Sequence, residues 1–189
     1  MLKKLDKYKG DYDDFFNYIE DNMDDGIDDV YCLPYFTGNV VPYQDLDIKG
    51  AFIGLTTSTS DAQMYKAIIE GLAMEMRFEV ETGNRYGIKV SKLIATGGGS
   101  LSKKRLQIKA DVQNVEVSTP RSQEGGLCGC AVIQAVALKQ YDTYEDACEH
   151  FVKLKDTYCP NLEKHKMYEK KYGNYKKMYE NIKNITRGE

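Results

Sequence analysis

An α/β fold is predicted for this chain from three observations. Strand-like and helix-like segments alternate after residue 90, a run of three glycines links a hydrophobic strand to an amphipathic segment, and 189 residues suffice for one lobe but not for two full domains. Strands that alternate with helices in this way lie parallel and are joined by right-handed crossovers.

The elements follow from local pattern. Phe15, Phe16 and Ile19 share one face of a helix that opens near Asp11 and is ended by the Asp- and Gly-rich run from Asp21 to Asp29. Val30-Tyr31-Cys32-Leu33, stopped by Pro34, and Ala51-Phe52-Ile53-Gly54-Leu55 read as short strands. The long loop between them, with turn formers Gly38, Pro42 and Gly50, is expected to do packing or functional work. Ser60 and Gln63 have the spacing of a capping box, and Met64, Ile68, Leu72, Met76 and Val80 then recur every fourth residue, which predicts a long buried helix over 60–82. Gly71 in its middle predicts close approach of a neighbouring element.

Lys92-Leu93-Ile94-Ala95-Thr96 reads as a third strand, Ser102–Gln113 as a helix, Val115–Ser118 as a strand ended by Pro120, and Gly125–Leu138 as a helix of small residues. Helices over 60–82, 102–113 and 124–138 are expected to pack on the parallel strands near 92–96 and 115–118. Two further helices, near Thr143–Leu154 and Leu162–Ile185, close the chain. In the last, Tyr168, Tyr172, Tyr175 and Tyr179 form a stripe at helical spacing, read as a packing face.

Composition excludes several functions. A net charge of −3 argues against nucleic-acid binding, and no run of apolar residues is long enough to span a membrane. The start Met1-Leu2-Lys3-Lys4 lacks a secretory signal, so a cytoplasmic location is expected. Residues 1–29 hold ten Asp/Glu and four Lys, whereas 161–189 hold eight Lys/Arg and four Glu. The two ends either attract one another or, the reading we favour, form solvated helices of opposite sign. Cys32, Cys128, Cys130, Cys148 and Cys159 show no disulfide framework. Zinc held by Cys148, His150, Cys159 and His165 is rejected, because Cys148 and His150 face different ways on a helix.

The stretch Leu93-Ile94-Ala95-Thr96-Gly97-Gly98-Gly99-Ser100-Leu101-Ser102 carries the most chemistry. Glycines let backbone approach a phosphate without a Cβ in the way, and the N–H groups that open the next helix point at the anion. Ser100 and Ser102 add hydroxyls. A plain αβ turn is the competing reading. The loop is neither a Walker A sequence nor G-x-G-x-x-G. Glu124-Gly125-Gly126-Leu127-Cys128-Gly129-Cys130-Ala131 opens another helix, packed either beside a nucleotide or simply tightly on the sheet. No catalytic set of Ser/His/Asp or Cys/His residues emerges.

Several segments together resemble the C-terminal domain of the FGGY family of carbohydrate kinases, and are most similar to its xylulokinase-like members. Tyr31-Cys-Leu-Pro-Tyr-Phe-Thr-Gly38, Pro42-Tyr43 and Gly50-Ala-Phe-Ile-Gly54-Leu55-Thr56 resemble F-L-P-Y-x-x-G-E-R-x-P-x-x-D and R-G-x-F-x-G-L-T. Ala67-Ile-Ile-Glu70-Gly71-Leu-Ala73 is similar to A-x-x-E-G-x-A, and Thr96–Ser100 with Gln107–Asp111 to T-G-G-G-A-x-S and Q-x-x-A-D. Glu124–Ala131 resembles E-x-x-A-L-G-A-A. Asn39 and Val40 depart from the usual Glu-Arg pair, and Cys128 and Cys130 stand where Leu and Ala are common.

The resemblance implies an actin-like, ribonuclease-H-like ATPase lobe, incomplete on its N-terminal side and with extra C-terminal helices. It implies transfer of the γ-phosphoryl group of ATP, with Mg²⁺, to the hydroxyl of xylulose, gluconate, glycerol or a related polyol. Gly97, Gly98 and Gly99 would lie near the nucleotide, flanked by Ser100 and Lys103. Residues 1–189 would form the nucleotide-side domain alone. The sugar pocket, the catalytic aspartate and part of the nucleotide site would belong to an N-terminal lobe, the expected partner. We therefore expect a cut-down, proteolysed or split product that is inactive by itself. Its open sheet edge is expected to be covered by a second copy. The alternative is a stand-alone binding or regulatory module of the same fold.

Overall fold

Among the described residues, Tyr12–Asp21 forms the first helix, α1, with Phe15 and Ile19 buried as their spacing predicts, and the Phe16 ring packs 5.7 Å from that of Tyr65. The computed structural model describes residues 12–41 and 44–187; Asp11, the Pro42-Tyr43 pair and the N-terminal charged run lie outside the described residues. The chain divides into two units, Met1–Ile88 with Leu162–Glu189, and Lys89–Asn161.

In the first unit, β1 (Tyr31–Leu33) and β2 (Ala51–Ile53) pair antiparallel, with Cys32 opposite Phe52. Helix α2 (Asp61–Arg85) starts at the expected capping box, in which Ser60 Oγ accepts from Gln63 N and the Gln63 side chain accepts from Ser60 N. Gly71 is where α2 meets β1: a Cβ there would drive into the Cys32 carbonyl and reach Pro34 Cδ at 3.4 Å. The absent side chain thus sets the helix–strand distance.

The buried face of α2 is not the one read from the sequence. Met64, Ile68, Met76 and Val80 are half-exposed and Leu72 is exposed, while Tyr65, Lys66, Ala67, Glu70, Gly71, Ala73 and Met74 point inward. The reason is the partner, α6 (Leu162–Arg187), whose stripe Tyr168, Tyr172, Tyr175 and Tyr179 is buried. Each hydroxyl donates to a carboxylate: Tyr168 to Glu70 Oε1 at 2.9 Å, Tyr172 to Glu81 Oε2 at 3.0 Å, Tyr175 to Glu75 Oε2 at 3.2 Å and Tyr179 to Asp45 Oδ2 at 2.9 Å. The rings supply apolar area and the hydroxyls satisfy acids that a purely apolar stripe would exclude. Burial, with Tyr35 and Glu75 adding to it, pushes the Tyr175 hydroxyl far above its ordinary value, so it stays a donor.

The oppositely charged ends do meet within this unit. Lys171 Nζ donates to Glu70 Oε2 at 2.5 Å and to the Asp28 carbonyl at 2.8 Å, and lies 3.7 Å from Asp28 Oδ1. Lys164 reaches the exposed Asp25 at 4.0 Å, a contact worth little. The solvated-helix reading therefore holds for Lys164 and fails for Lys171, which is 4% exposed. The 34–50 loop also packs: Asn39 and Asp45 exchange backbone hydrogen bonds of 2.7 Å each, and Asn39 Nδ2 donates to Glu75 Oε1 at 2.7 Å.

In the second unit, β3 (Lys92–Ile94) pairs parallel with β4 (Glu116–Pro120), as expected, Leu93 facing Val117. Helix α3 (Lys103–Gln113) packs on β4 through a core of Leu106, Ala110 and Val117, joined by Leu93, Ala95 and Tyr158. Fully burying Leu106 and Val117 contributes about 1.5–3 kcal/mol each. Helix α4 (Gly125–Ala137) packs against α5 (Tyr144–Phe151). Two expectations are corrected. Helix α2, expected on the parallel strands, packs on β1 within the first unit. The helix expected near Thr143–Leu154 stops at Phe151, and Leu154–Tyr158 is a strand the sequence reading did not assign, β5, antiparallel to β4, giving the order β3-β4-β5. The exposed Lys155 and Asp156 give β5 no apolar alternation, so neither period was readable; its pairing is held by the backbone ladder and a 2.9 Å contact between Ser118 Oγ and Thr157 Oγ1.

Candidate functional site

The glycine loop leaves the end of β3. Ala95 N donates to Ser118 O at 2.8 Å, extending the parallel pairing one residue beyond the strand. Gly97 then takes φ 76° and ψ −173°, a conformation that a side chain would strain. Gly98–Ser100 forms one 3₁₀ turn, with Ser100 N donating to Gly97 O at 3.0 Å and Leu101 N to Gly98 O at 3.3 Å. The turn's bonded N–H groups begin at Ser100, so those of Gly98 and Gly99 precede the bonded part. A Cβ built on Gly97, Gly98 or Gly99 would meet nothing within 4 Å. The loop is thus bare backbone facing open space.

Helix α3 starts immediately after. Ser102 caps it, its Oγ accepting from Arg105 N at 3.2 Å. Its first turn is Lys103-Lys104-Arg105, three cationic side chains at the positive end of the helix dipole. Lys103 is exposed.

Ser100 is placed differently from the other four candidates. It is 5% exposed, its Oγ lying 2.7 Å from Gly97 O and within hydrogen-bond distance of the Gln123 side chain. Its hydroxyl braces the loop from below. The loop's other neighbour is the start of α4: a Cβ on Gly125 would lie 3.5 Å from Thr96 Cγ2, and Thr96, Gly125, Cys128, Cys148, Phe151 and Val152 help to line an apolar cavity of about 180 Å³. The two glycine-rich segments noted in the sequence are therefore brought together. Among the described residues, no cluster of three or more His, Cys, Asp or Glu side chains forms a metal site.

Sequence reasoning missed Gln123, and nothing in its spacing singled it out. It also left Gln107 and Asp111 without a task. Asp111, 1% exposed, accepts from Gln107 Nε2 and from Asn161 N at 2.8 Å each, and Gln107 Nε2 also donates to Cys159 O at 2.9 Å. This pair clamps the chain after β5 onto α3, a structural duty.

A glycine loop at the carboxyl end of a parallel strand, opening onto a helix N-terminus, places this unit among mixed α/β domains, and such a helix start is able to receive an anion. The FGGY family of carbohydrate kinases, C-terminal domain, matches residues 2–138, and the chain belongs to that family through this domain. It is 31% identical over 161 residues to a xylulose kinase of Staphylococcus epidermidis, covering 85% of this chain and 32% of that protein. The fold is shared with the ligand-bound xylulose kinase of Lactobacillus acidophilus (TM-score 0.79, 24% identity, 88% of this chain and 34% of that one). It is shared too with Plasmodium falciparum glycerol kinase solved with ADP (TM-score 0.74, 20% identity, 94% and 36%). The chain spans about a third of the length of the curated relatives it matches. No helix among the described residues is long and apolar enough to cross a membrane.

Proposed function

We propose that this chain supplies the ATP-side half of a carbohydrate kinase that transfers the γ-phosphoryl group to a sugar or polyol hydroxyl, with xylulose, gluconate and glycerol as the substrate types to test first. The observation that carries this reading is the open backbone cradle at Gly97–Gly99 in front of a cationic helix start, in a chain of this family. The cradle fits a nucleotide phosphate: it offers N–H donors without a Cβ in the way. Gly97, Gly98 and Gly99 take the phosphate-facing backbone role, Ser100 holds the turn, and Lys103 adds charge at its rim. Mg²⁺ would arrive on the phosphates, since it is held chiefly by phosphate oxygens, water and one or two carboxylates.

Phosphoryl transfer rests on positioning the acceptor in line with the phosphorus and stabilising charge around it. In this reading the acceptor hydroxyl, its general base and the rest of the nucleotide site belong to an N-terminal lobe, so the chain alone binds ATP or ADP weakly and turns nothing over. A coupled ADP-release assay over pentoses, hexoses and polyols tests this, run with the chain alone and with the N-terminal lobe of a xylulose kinase added. Sugar-dependent release by the chain alone refutes the half-enzyme reading. Calorimetry with ATP on Gly98→Val tests the cradle: unchanged affinity removes Gly97–Gly99 from the site.

A further inference from the structure

The glycine loop has almost nothing of its own to hold it. Three consecutive glycines have the largest backbone freedom to lose, and no side chain packs around their Cβ positions. The restraints are the two 3₁₀ hydrogen bonds and the hydroxyl of Ser100, which is bonded both to Gly97 O and to Gln123, a residue 23 positions further on. Among the described residues, Gln123 is the one side chain from outside the loop that hydrogen-bonds to any residue of Gly97–Ser100.

The proton count fixes how this works. Ser100 has one hydroxyl proton, and its Oγ sits 2.7 Å from a carbonyl oxygen, a distance that two acceptors do not hold without a proton between them. The Ser100 hydroxyl points at both the Gln123 side-chain Oε1, at 2.5 Å, and Gly97 O, so its one proton is shared between the two oxygens and holds them together. Gln123 lies just ahead of Glu124, the cap residue of α4, and Gly125 N donates to its carbonyl at 3.1 Å. The amide consequently ties the glycine turn to the start of a helix through a part-buried hydrogen bond.

We propose that Gln123 is a positioning residue for the nucleotide loop, acting through Ser100 to keep Gly97–Gly99 in the conformation that receives phosphate. This rests on the nucleotide-site reading given above. Preordering of this kind lowers the entropy lost when ligand binds, so its removal weakens affinity without removing any ligand contact.

The test is a double-mutant cycle on this chain with Gln123→Met, which keeps the side-chain length, and Ser100→Ala. Two readouts are taken: amide hydrogen exchange at Ser100 and Leu101, and calorimetric titration with Mg-ATP, thermal melting serving as the folding control. Each single variant is expected to exchange faster and bind ATP more weakly, Gln123→Met by about fivefold, the effect of losing one ordinary hydrogen bond, and Ser100→Ala by at least as much, since it also loses the bond to Gly97 O. The double variant is expected to be no worse than Ser100→Ala alone, because Gln123 acts only through the Ser100 hydroxyl. Unchanged exchange in Gln123→Met, or effects that add in the double variant, overturns the proposal. Gly98→Val is run alongside. If it leaves ATP affinity unchanged, the nucleotide-site reading fails; if it weakens ATP while Gln123→Met does not, only the role given to Gln123 fails.

Discussion

Replacing Lys171 by Met should destabilise the chain by about 3–5 kcal/mol near neutral pH, because it strands Glu70 in the interior. Glu70 is 1% exposed and Lys171 4%, and their 2.5 Å contact is supplemented only by the Tyr168 hydroxyl and the field of Lys66. Lys66 is itself committed to Asp24 at 2.9 Å and to the Gly26 carbonyl, so it cannot move over. Burial pushes the Glu70 carboxyl above its ordinary 4.5, against the downward pull of Lys171, Tyr168 and Lys66. The folded state therefore holds more protons than the unfolded one above that value. This contribution to stability is fully present below the unfolded pKa and is lost as pH rises through the raised folded one. Lys171→Met removes the strongest downward pull and extends the window upward. The variant should thus lie closer to wild type at about pH 5 than at about pH 8. The assay is urea unfolding followed by tyrosine fluorescence, for which the buried Tyr168–Tyr179 stripe and the absence of tryptophan suit the protein. A loss below about 1 kcal/mol, or one that does not shrink toward acid pH and is not reduced by adding Glu70→Gln, refutes the reasoning.

Gly71→Ala should cost about 1–3 kcal/mol despite the better helix propensity of alanine, because the new Cβ meets the Cys32 carbonyl; equal or greater stability in urea unfolding would disprove the close approach. Asn39→Glu, which restores the residue usual in the family pattern, should destabilise by about 2 kcal/mol or more by setting a second carboxylate against Glu75, and Glu75→Ala in the same chain should recover most of it. A stable single variant would show that the loop swings away. Ile94→Lys should shift the chain toward monomer in sedimentation, since Ile94 is half-exposed on β3 at the end of the strand order, and an unchanged distribution would mean that this edge does not mediate association.

Legibility in the sequence followed the strength of local signals. The capping box at Ser60, the Asp- and Gly-rich stop after α1 and the tyrosine stripe of α6 each rest on residues close in sequence, and each is found where it was expected, as is the parallel pairing of the strands near 92–96 and 115–118. The buried face of α2 was misread because periodicity counts apolar residues, and here the interior takes Lys66 and Glu70 in preference to Leu72. That choice becomes intelligible only with distant partners in place: Tyr168 and Lys171 of α6 pair Glu70 from about a hundred residues away, and Asp24 with the Gly26 carbonyl pairs Lys66. The strand β5 was missed for a related reason: an edge strand with both faces exposed has no alternation to detect, and its identity lies in backbone pairing to β4.

The same distinction separates what was readable in the candidate site from what was not. Glycine carries a conformational message in its own identity, so Gly97–Gly99 could be singled out from a single sequence. Gln123 carries none, since a glutamine is compatible with any exposed turn. Its part comes entirely from lying within reach of the Ser100 hydroxyl, which donates toward both Gln123 Oε1 and Gly97 O. The family pattern has alanine where this chain has Ser100, and alanine has no hydroxyl to tie down. If the tether through Gln123 holds this loop, replacing Ser100 with that alanine should loosen it rather than leave it as it is. The site in this chain then depends on a pair of residues that neither the glycine motif nor the family pattern names.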